Sequence, residues 1–162
     1  MFRGRYNIKM EARGRFSVPS KIRELINVLY DGRVILSCGF FEKIPHLLAV
    51  PLKEWEAFEK EYPFSGILDY SDESFLMRLR TVGSCEEVRL DDHGRILLPD
   101  FMRSYAKLRK ELSLVGMGKY MAIFSPAVLN AAHNNAEKSL SKLRGTLAKK
   151  LEIERNGTVT GR

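Results

Sequence analysis

The sequence predicts an α+β fold built from two related halves. A motif occurs twice, 80 positions apart: MEARGRFSVPSKIR at residues 10–23 and LDDHGRILLPDFMR at residues 90–103. Each copy is followed by the same order of patterns, a short helix, two strands and a helix. A half of about 70 residues has few layers with which to cover its own strands. We therefore expect the halves to face each other around a pseudo-twofold axis and to bury a common core.

Alternation of apolar and polar residues predicts a β-hairpin at the start of the chain, with a turn at Gly14. Ser20 is placed to cap the helix that follows, and Pro51 suits the first position of the next one. The predicted elements of the first half are, in order, strands at 5–10 and 15–18, a helix at 20–29, strands at 33–37 and 47–50, and a helix at 52–62.

The second half repeats this order. The offset between the halves is 80 at the glycine turns and 74 where Trp55 aligns with Leu129, which places the extra residues of the first half in the loop between Gly39 and His46. The predicted elements are strands at 86–90 and 95–98, a helix from residue 100, strands at 111–116 and 120–124, and a helix from Pro126.

Four segments follow from these patterns. Ser71 can cap a helix between the halves, and Leu140, Leu143 and Leu147 recur at helical spacing near the end of the chain. We expect a first half at 1–65, a connecting helix at 66–83, a second half at 84–137, and a basic C-terminal helix and tail at 138–162, frayed from about Gly157.

Positive charge is concentrated at the two ends of the chain. Residues 1–23 carry a net charge of +6, residues 138–162 carry +5, and the middle of the chain carries −4, within a total of +7. Such asymmetry is typical of proteins that bind a polyanion, because each phosphate contact releases counterions. The N-terminal cluster lies within a segment of predicted secondary structure and is therefore stronger evidence for polyanion binding than the basic tail.

Other function classes find little support in the residues. No segment is apolar enough to cross a membrane or to act as a secretory signal, which predicts a cytoplasmic protein. Cys38 and Cys85 lack the spacing of a zinc site and are expected to be reduced thiols. The run Asp91-Asp92-His93 is better explained by a solvated turn than by a catalytic pair. We expect no enzyme activity, metal or cofactor.

The opening MFRG (residues 1–4) and the ordered motifs EARGRFSVP (11–19) and DDHGRILLP (91–99) resemble those of the bacterial MraZ proteins, over about residues 1–145. The resemblance implies two AbrB-like halves in one chain, forming a pseudo-twofold swapped-hairpin β-barrel, and a ring-shaped homo-oligomer. It also implies a nucleoid-associated transcriptional regulator that binds short direct repeats in double-stranded DNA. Its implied target is the promoter of the division and cell wall gene cluster, its own promoter included, and its implied action is repression.

In that family an acid followed four positions later by Arg contributes to DNA binding. The matching positions here are Glu11 with Arg15 and Asp91 with Arg95. The first motif departs from the family pattern, since Glu11 stands where Asp is usual and Arg13 where Lys is common, and Arg5 adds a positive charge. The positive charge of the first motif is nevertheless kept.

Arginine is suited to phosphates and guanine edges, because its planar fork donates two parallel hydrogen bonds. We expect Arg13 and Arg15 to point to one side of a strand and to contact bases or phosphates. The expected DNA-binding residues are Arg3, Arg5, Arg13, Arg15, Lys21 and Arg95, with Glu11 and Asp91 as motif carboxylates.

The sequence allows more than one interpretation at two points. Acidic residues surround Arg95, so a structural pairing with Asp91, within the turn or across a subunit interface, competes with DNA contact at that position. The fold also allows an antitoxin-like module that binds a protein partner through residues 138–162, and a protein that coats nucleic acid without sequence preference.

Overall fold

The computed structural model describes residues 1–39, 43–61 and 71–157, with side chains described up to residue 146. It is a mixed α+β structure with antiparallel sheets, as the sequence predicts. Its elements are β1 (Arg5–Lys9), β2 (Arg15–Ser17), α1 (Ser20–Tyr30), β3 (Arg33–Cys38), β4 (Leu47–Pro51), α2 (Leu52–Glu61), α3 (Asp72–Thr81), β5 (Glu86–Arg89), β6 (Arg95–Leu97), α4 (Asp100–Tyr105), β7 (Glu111–Gly116), β8 (Met121–Phe124) and α5 (Pro126–Gly157).

The strands form two sheets. Six of them make one antiparallel sheet in the order β1-β7-β8-β4-β3-β5, and β2 and β6 pair with each other in a two-stranded ribbon. If each strand is exchanged for its counterpart four strands along the chain, the order of the six-stranded sheet reads the same in reverse. The registers correspond as well, since Lys9 lies opposite Glu111 and Arg89 lies opposite Arg33.

The two strands of the predicted N-terminal hairpin are present, but they do not form a ladder of hydrogen bonds with each other. β1 pairs with β7 and β2 pairs with β6, and β1 and β2 meet only at a bridge between Met10 and Phe16 and in the turn that joins them. Alternation reports which residues of a strand are buried, and it carries no information about which strand lies alongside. Here the partners come from the other half of the chain.

Three residues are predicted to mark helix starts, and the structure confirms the prediction for one of them and differs for two. The Ser71 hydroxyl accepts a hydrogen bond from the Ser74 N–H at 3.2 Å, so the predicted cap of α3 is confirmed. Ser20 is instead the first helical residue of α1, which has no side-chain cap. Pro51 ends β4, and α2 begins one residue later.

The main core joins the ribbon to the six-stranded sheet. Phe16 and Ile96 point inward from the centre of the ribbon, and Ile22 and Met102 reach the same cluster from α1 and α4. Phe2 also belongs to this cluster, so the N-terminus is held in place by its second residue. Burying each such side chain contributes about 1.5 to 3 kcal/mol.

Residues Met1–Val128 form one compact unit and Leu129–Arg162 another. α5 is a continuous helix from Pro126 and passes residue 138 without a break. Within the described residues, none of the helices combines the length and the apolar character needed to cross a bilayer. The predicted boundary at residue 65, part of the loop between Gly39 and His46, and the predicted fraying at Thr158 and beyond lie outside the described residues.

Candidate nucleic-acid interface

The ribbon of β2 and β6 presents one side of each strand to solvent. Arg15 lies opposite Leu97 and Ser17 lies opposite Arg95, while Phe16 and Ile96 between them are buried. Because successive side chains of a strand point to opposite faces, all four flanking residues share the outward face. A two-stranded ribbon of this kind is narrow enough to enter the major groove of B-DNA, which is about 12 Å wide.

Two tight turns of the same geometry lead into the strands of the ribbon. We call residues 11–14 the first turn and residues 91–94 the second turn. In the first turn the Gly14 N–H donates to the Glu11 carbonyl at 2.9 Å, and in the second the Gly94 N–H donates to the Asp91 carbonyl at 2.8 Å. The φ angles are +86° at Gly14 and +70° at Gly94, a region that L side chains rarely adopt. The glycines of both motifs are therefore required by backbone conformation.

Each turn is held against the strand and helix of the other motif. The Leu98 N–H donates to the Gly14 carbonyl and the Val18 N–H to the Gly94 carbonyl, both at 3.0 Å. Arg103 of α4 packs on Gly14, and Arg23 of α1 packs on Gly94. Arg23 and Arg103 are not among the predicted site residues, although their offset of 80 positions matches that of the two motifs.

Arg95 is held by the carboxylates of both motifs. Its Nε donates to Asp91 Oδ2 at 2.9 Å, and its Nη1 lies 3.5 Å from Glu11 Oε1. Asp91 Oδ1 also accepts hydrogen bonds from the backbone N–H groups of His93 and Arg95. The hydrogen bond from the Arg95 backbone N–H is the main cause of the lowered pKa of Asp91, and the hydrogen bond to Asp91 raises the pKa of Arg95. The pairing of Arg95 with Asp91 therefore lies within the turn, one of the two placements that the sequence allowed.

Arg15 occupies the equivalent position in the first motif and differs in its contacts. It is exposed, and among the described residues it forms neither a side-chain hydrogen bond nor an ion pair. Glu11, the carboxylate of its own motif, reaches across the ribbon to Arg95 instead. Within the part of the chain that the structure describes, two positions that correspond in the fold thus carry one arginine without a side-chain partner and one that is held by two carboxylates.

Arg13 is placed differently from the expectation. It lies in the first turn, since β2 begins only at Arg15, so strand alternation does not fix its direction. It is exposed, as is Lys21 in the first turn of α1. The first motif therefore presents Arg13, Arg15 and Lys21 to solvent.

Arg3 and Arg5 flank the point where the N-terminus joins the six-stranded sheet. The N–H of Phe2 donates to the Gly118 carbonyl at 2.7 Å, and the N–H of Gly116 donates to the Gly4 carbonyl at 2.9 Å. These bonds leave Arg3 exposed just before β1, and Arg5 is exposed at the first position of β1. The structure thus divides the six predicted basic residues among the ribbon, the first turn, α1, β1 and the segment just before β1.

The cysteines and His46, which could in principle act as nucleophiles or metal ligands, lie in environments typical of structural residues. Cys38 is buried and Cys85 partly buried, and both are free thiols. Burial raises the pKa of the Cys85 thiol, which disfavours the nucleophilic thiolate. His46 stacks on Phe124 with ring centroids 5.0 Å apart. Within the described part of the chain, His, Cys, Asp and Glu nowhere form a group of three that could hold a metal ion.

The sequence of this chain is similar to those of several known proteins. A family model described as "MraZ protein, putative antitoxin-like" matches residues 82–150. A "Transcriptional regulator MraZ" of Nitrosococcus oceani is 37% identical over 128 residues, which are 79% of this chain and 83% of that protein. A protein of the same name from Shewanella frigidimarina is 37% identical over 72% of this chain and 74% of its own. Another, from Hydrogenovibrio crunogenus, is 30% identical over 88% of this chain and 97% of its own.

Proposed function

Since this chain belongs to the MraZ family, we propose that it is a sequence-specific DNA-binding transcriptional regulator that reads DNA with the first motif. The relatives are named as transcriptional regulators, and the chain is not an enzyme. We propose that it is a repressor of the division and cell wall gene cluster, its own promoter included, and that it is cytoplasmic and associated with the nucleoid.

The observation that carries this proposal is the contrast between Arg15 and Arg95. Both lie on the outward face of the ribbon, but Arg95 is occupied by Asp91 and Glu11, whereas Arg15 is exposed and unpaired among the described residues. An unpaired guanidinium can donate both of its parallel hydrogen bonds to the O6 and N7 of guanine. Arg15 is therefore assigned to base contact.

The remaining basic residues are assigned to the DNA backbone. Arg3, Arg5, Arg13 and Lys21 are exposed on the first half, where a net charge of +6 over residues 1–23 attracts phosphate. Arg95 contributes by orienting the ribbon through Glu11 and Asp91, and its remaining donors can reach a phosphate. This assignment divides the predicted DNA-binding residues into one base reader and several phosphate contacts.

The fold proposed for this function is a pseudo-twofold, swapped-hairpin β-barrel of AbrB-like halves. Its support is the reversible strand order and the exchange of partners, in which β1 pairs with β7 and β5 pairs with β3. We further propose a ring-shaped homo-oligomer that places several first motifs on the direct repeats of one promoter. Weak contacts of single subunits would then add through multivalency.

The test is a titration of the purified full chain against labelled DNA from upstream of its own gene, with scrambled DNA as competitor and at several salt concentrations. Specific binding that resists the competitor is expected. Arg15→Ala should weaken this binding while keeping the oligomer seen by size-exclusion chromatography. A protein that binds both DNAs equally, with a steep dependence on salt, would instead coat nucleic acid without reading it. Recovery of a protein partner without DNA binding would support the antitoxin-like module.

A further inference from the structure

Leu97 is an exposed apolar side chain in the middle of the proposed DNA-contacting face. It lies directly opposite Arg15 in the ribbon, and 47% of its surface is exposed. Its neighbours on the outward face are polar or charged, whereas the apolar residues on either side of it, Ile96 and Leu98, are buried. Leu97 is therefore exposed because its side chain lies on the outward face of the ribbon, whereas those of Ile96 and Leu98 lie on the buried face.

The pairing brings Leu97 close to Arg15. The hydrogen bonds from Leu98 to Gly14 and from Val18 to Gly94 mark those positions as hydrogen-bonded pairs. The two kinds of pair alternate along an antiparallel ladder, so Arg15 and Leu97 form a non-hydrogen-bonded pair, with Cα atoms about 4.5 Å apart. Side chains in such a pair stand next to each other on one face. A surface that the Arg15 guanidinium touches is thus within reach of Leu97.

The corresponding position in the first motif carries a different residue. Ser17 takes the place of Leu97 across from Arg95, which is the occupied arginine. One end of the ribbon therefore has an arginine that is unpaired among the described residues beside an apolar side chain, and the other end has a paired arginine beside a small polar one. An apolar group in the major groove recognises the 5-methyl group of thymine, the one apolar feature that base pairs present there.

We infer that Leu97 is a specificity-determining residue that contacts the methyl group of a thymine next to the guanine bound by Arg15. This inference rests on the proposed function and deepens it, because the recognised step then contains both a guanine and a neighbouring thymine. The second motif contributes to reading through Leu97, although its own arginine is held within the protein.

The experiment replaces single thymines of the footprinted upstream DNA by deoxyuridine, which removes only the methyl group. For the unmodified protein, substitution at one thymine of a repeat should weaken binding about four-fold, the effect of burying one methyl-sized group. Leu97→Ala should bind the thymine DNA about four-fold more weakly and should no longer distinguish thymine from deoxyuridine. This loss of discrimination is a readout that a merely structural role would not produce.

Leu29→Ala is the matched control, since Leu29 is 48% exposed, like Leu97, but belongs to α1 and not to either strand of the ribbon. It should keep the preference for thymine. Equal binding of thymine and deoxyuridine DNA by the unmodified protein, or discrimination that persists in Leu97→Ala, would overturn the inference while leaving the proposed function intact. A change of oligomeric state in Leu97→Ala would also overturn it, since Leu97 would then pack against a second copy. Absence of any sequence preference in the unmodified protein would overturn the proposed function first.

Discussion

Arg23 packs on Gly94 so closely that a Cβ atom added to the glycine would overlap the arginine side chain, and the Arg23 Nη1 donates to the carbonyl of the neighbouring His93 at 3.3 Å. Arg103 makes the equivalent contact with Gly14, where an added Cβ would lie 2.6 Å from Nε. Each glycine turn is thus covered by the helix that follows the other motif. A change in one motif is expected to alter the turn of the other.

Gly14→Ala tests this coupling. A residue with φ of +86° costs an L side chain about 1 to 2 kcal/mol, and an added Cβ must also displace the Arg103 side chain. Gly118→Ala is the control, because its φ is +87° and an added Cβ there meets nothing within 4 Å. Urea denaturation should show a larger loss for Gly14→Ala. Equal losses would mean that the contact with Arg103 contributes nothing to stability.

Arg15→Ala and Arg95→Ala should separate function from stability. Loss of one bidentate contact with guanine costs about 1 to 3 kcal/mol, so Arg15→Ala should lower DNA affinity by roughly 5- to 150-fold. Its thermal midpoint should stay unchanged, since Arg15 makes no ion pair among the described residues. Arg95→Ala should lower the thermal midpoint, because Asp91 and Glu11 lose their partner. The assignment is wrong if the two variants exchange these effects.

The folded chain is expected to lose stability in acid as the Asp91 carboxylate becomes protonated. Its pKa is lower in the folded chain than the usual value of about 3.9, chiefly because the Arg95 backbone N–H donates to it. Its contribution is therefore fully present above about pH 4 and is lost as the pH falls through the folded value. In thermal melts from pH 7 to pH 2.5, Asp91→Asn should be less stable than the unmodified protein at neutral pH, and the difference should narrow as the pH falls below about 4.

Asp92→Asn is the control for this pH series. Asp92 is exposed and, in the described structure, its carboxylate forms neither a hydrogen bond nor an ion pair. Its melting curve should follow that of the unmodified protein at every pH. A difference between Asp91→Asn and the unmodified protein that stays constant with pH would refute the role given to Asp91.

Phe2→Ala should destabilise the whole unit formed by residues 1–128. Phe2 is 1% exposed and lies against Tyr30 with ring centroids 6.1 Å apart, so truncation leaves a cavity in the main core. The expected loss is about 3 to 5 kcal/mol in urea denaturation. Val28→Ala, at a position that is 76% exposed, should change the free energy of unfolding by less than about 0.5 kcal/mol. Similar stability of both variants would show that the N-terminus is not anchored by Phe2.

Much of the fold could be predicted because its signals are local. Alternation predicts β1 and β2, helical spacing predicts α1, and the repeated order of elements predicts β5, β6 and α4, with the strands correct to within one or two residues. Glycine marks both turns. Strand partners depend on the whole chain, so local alternation predicts β2 as the partner of β1, whereas β1 pairs with β7. The same limit applies to the site. The density of positive charge in the first motif indicates Arg15 as a DNA contact. The register of the ribbon decides that Glu11 pairs with Arg95 and not with Arg15, and local sequence does not reveal that register.

The pairing of β1 with β7 also sets an order of events during synthesis. Asn7 and Ser113, whose side chains form a hydrogen bond across these strands, are 106 positions apart in the chain. At about 5 to 20 residues per second, a ribosome needs roughly 5 to 20 s to add the partner of β1. Throughout that interval the basic first strand has no β7 to pair with. Neither half can therefore complete its sheet alone, and the nascent chain must reach residue 116, the end of β7, before its N-terminus can be fixed in place.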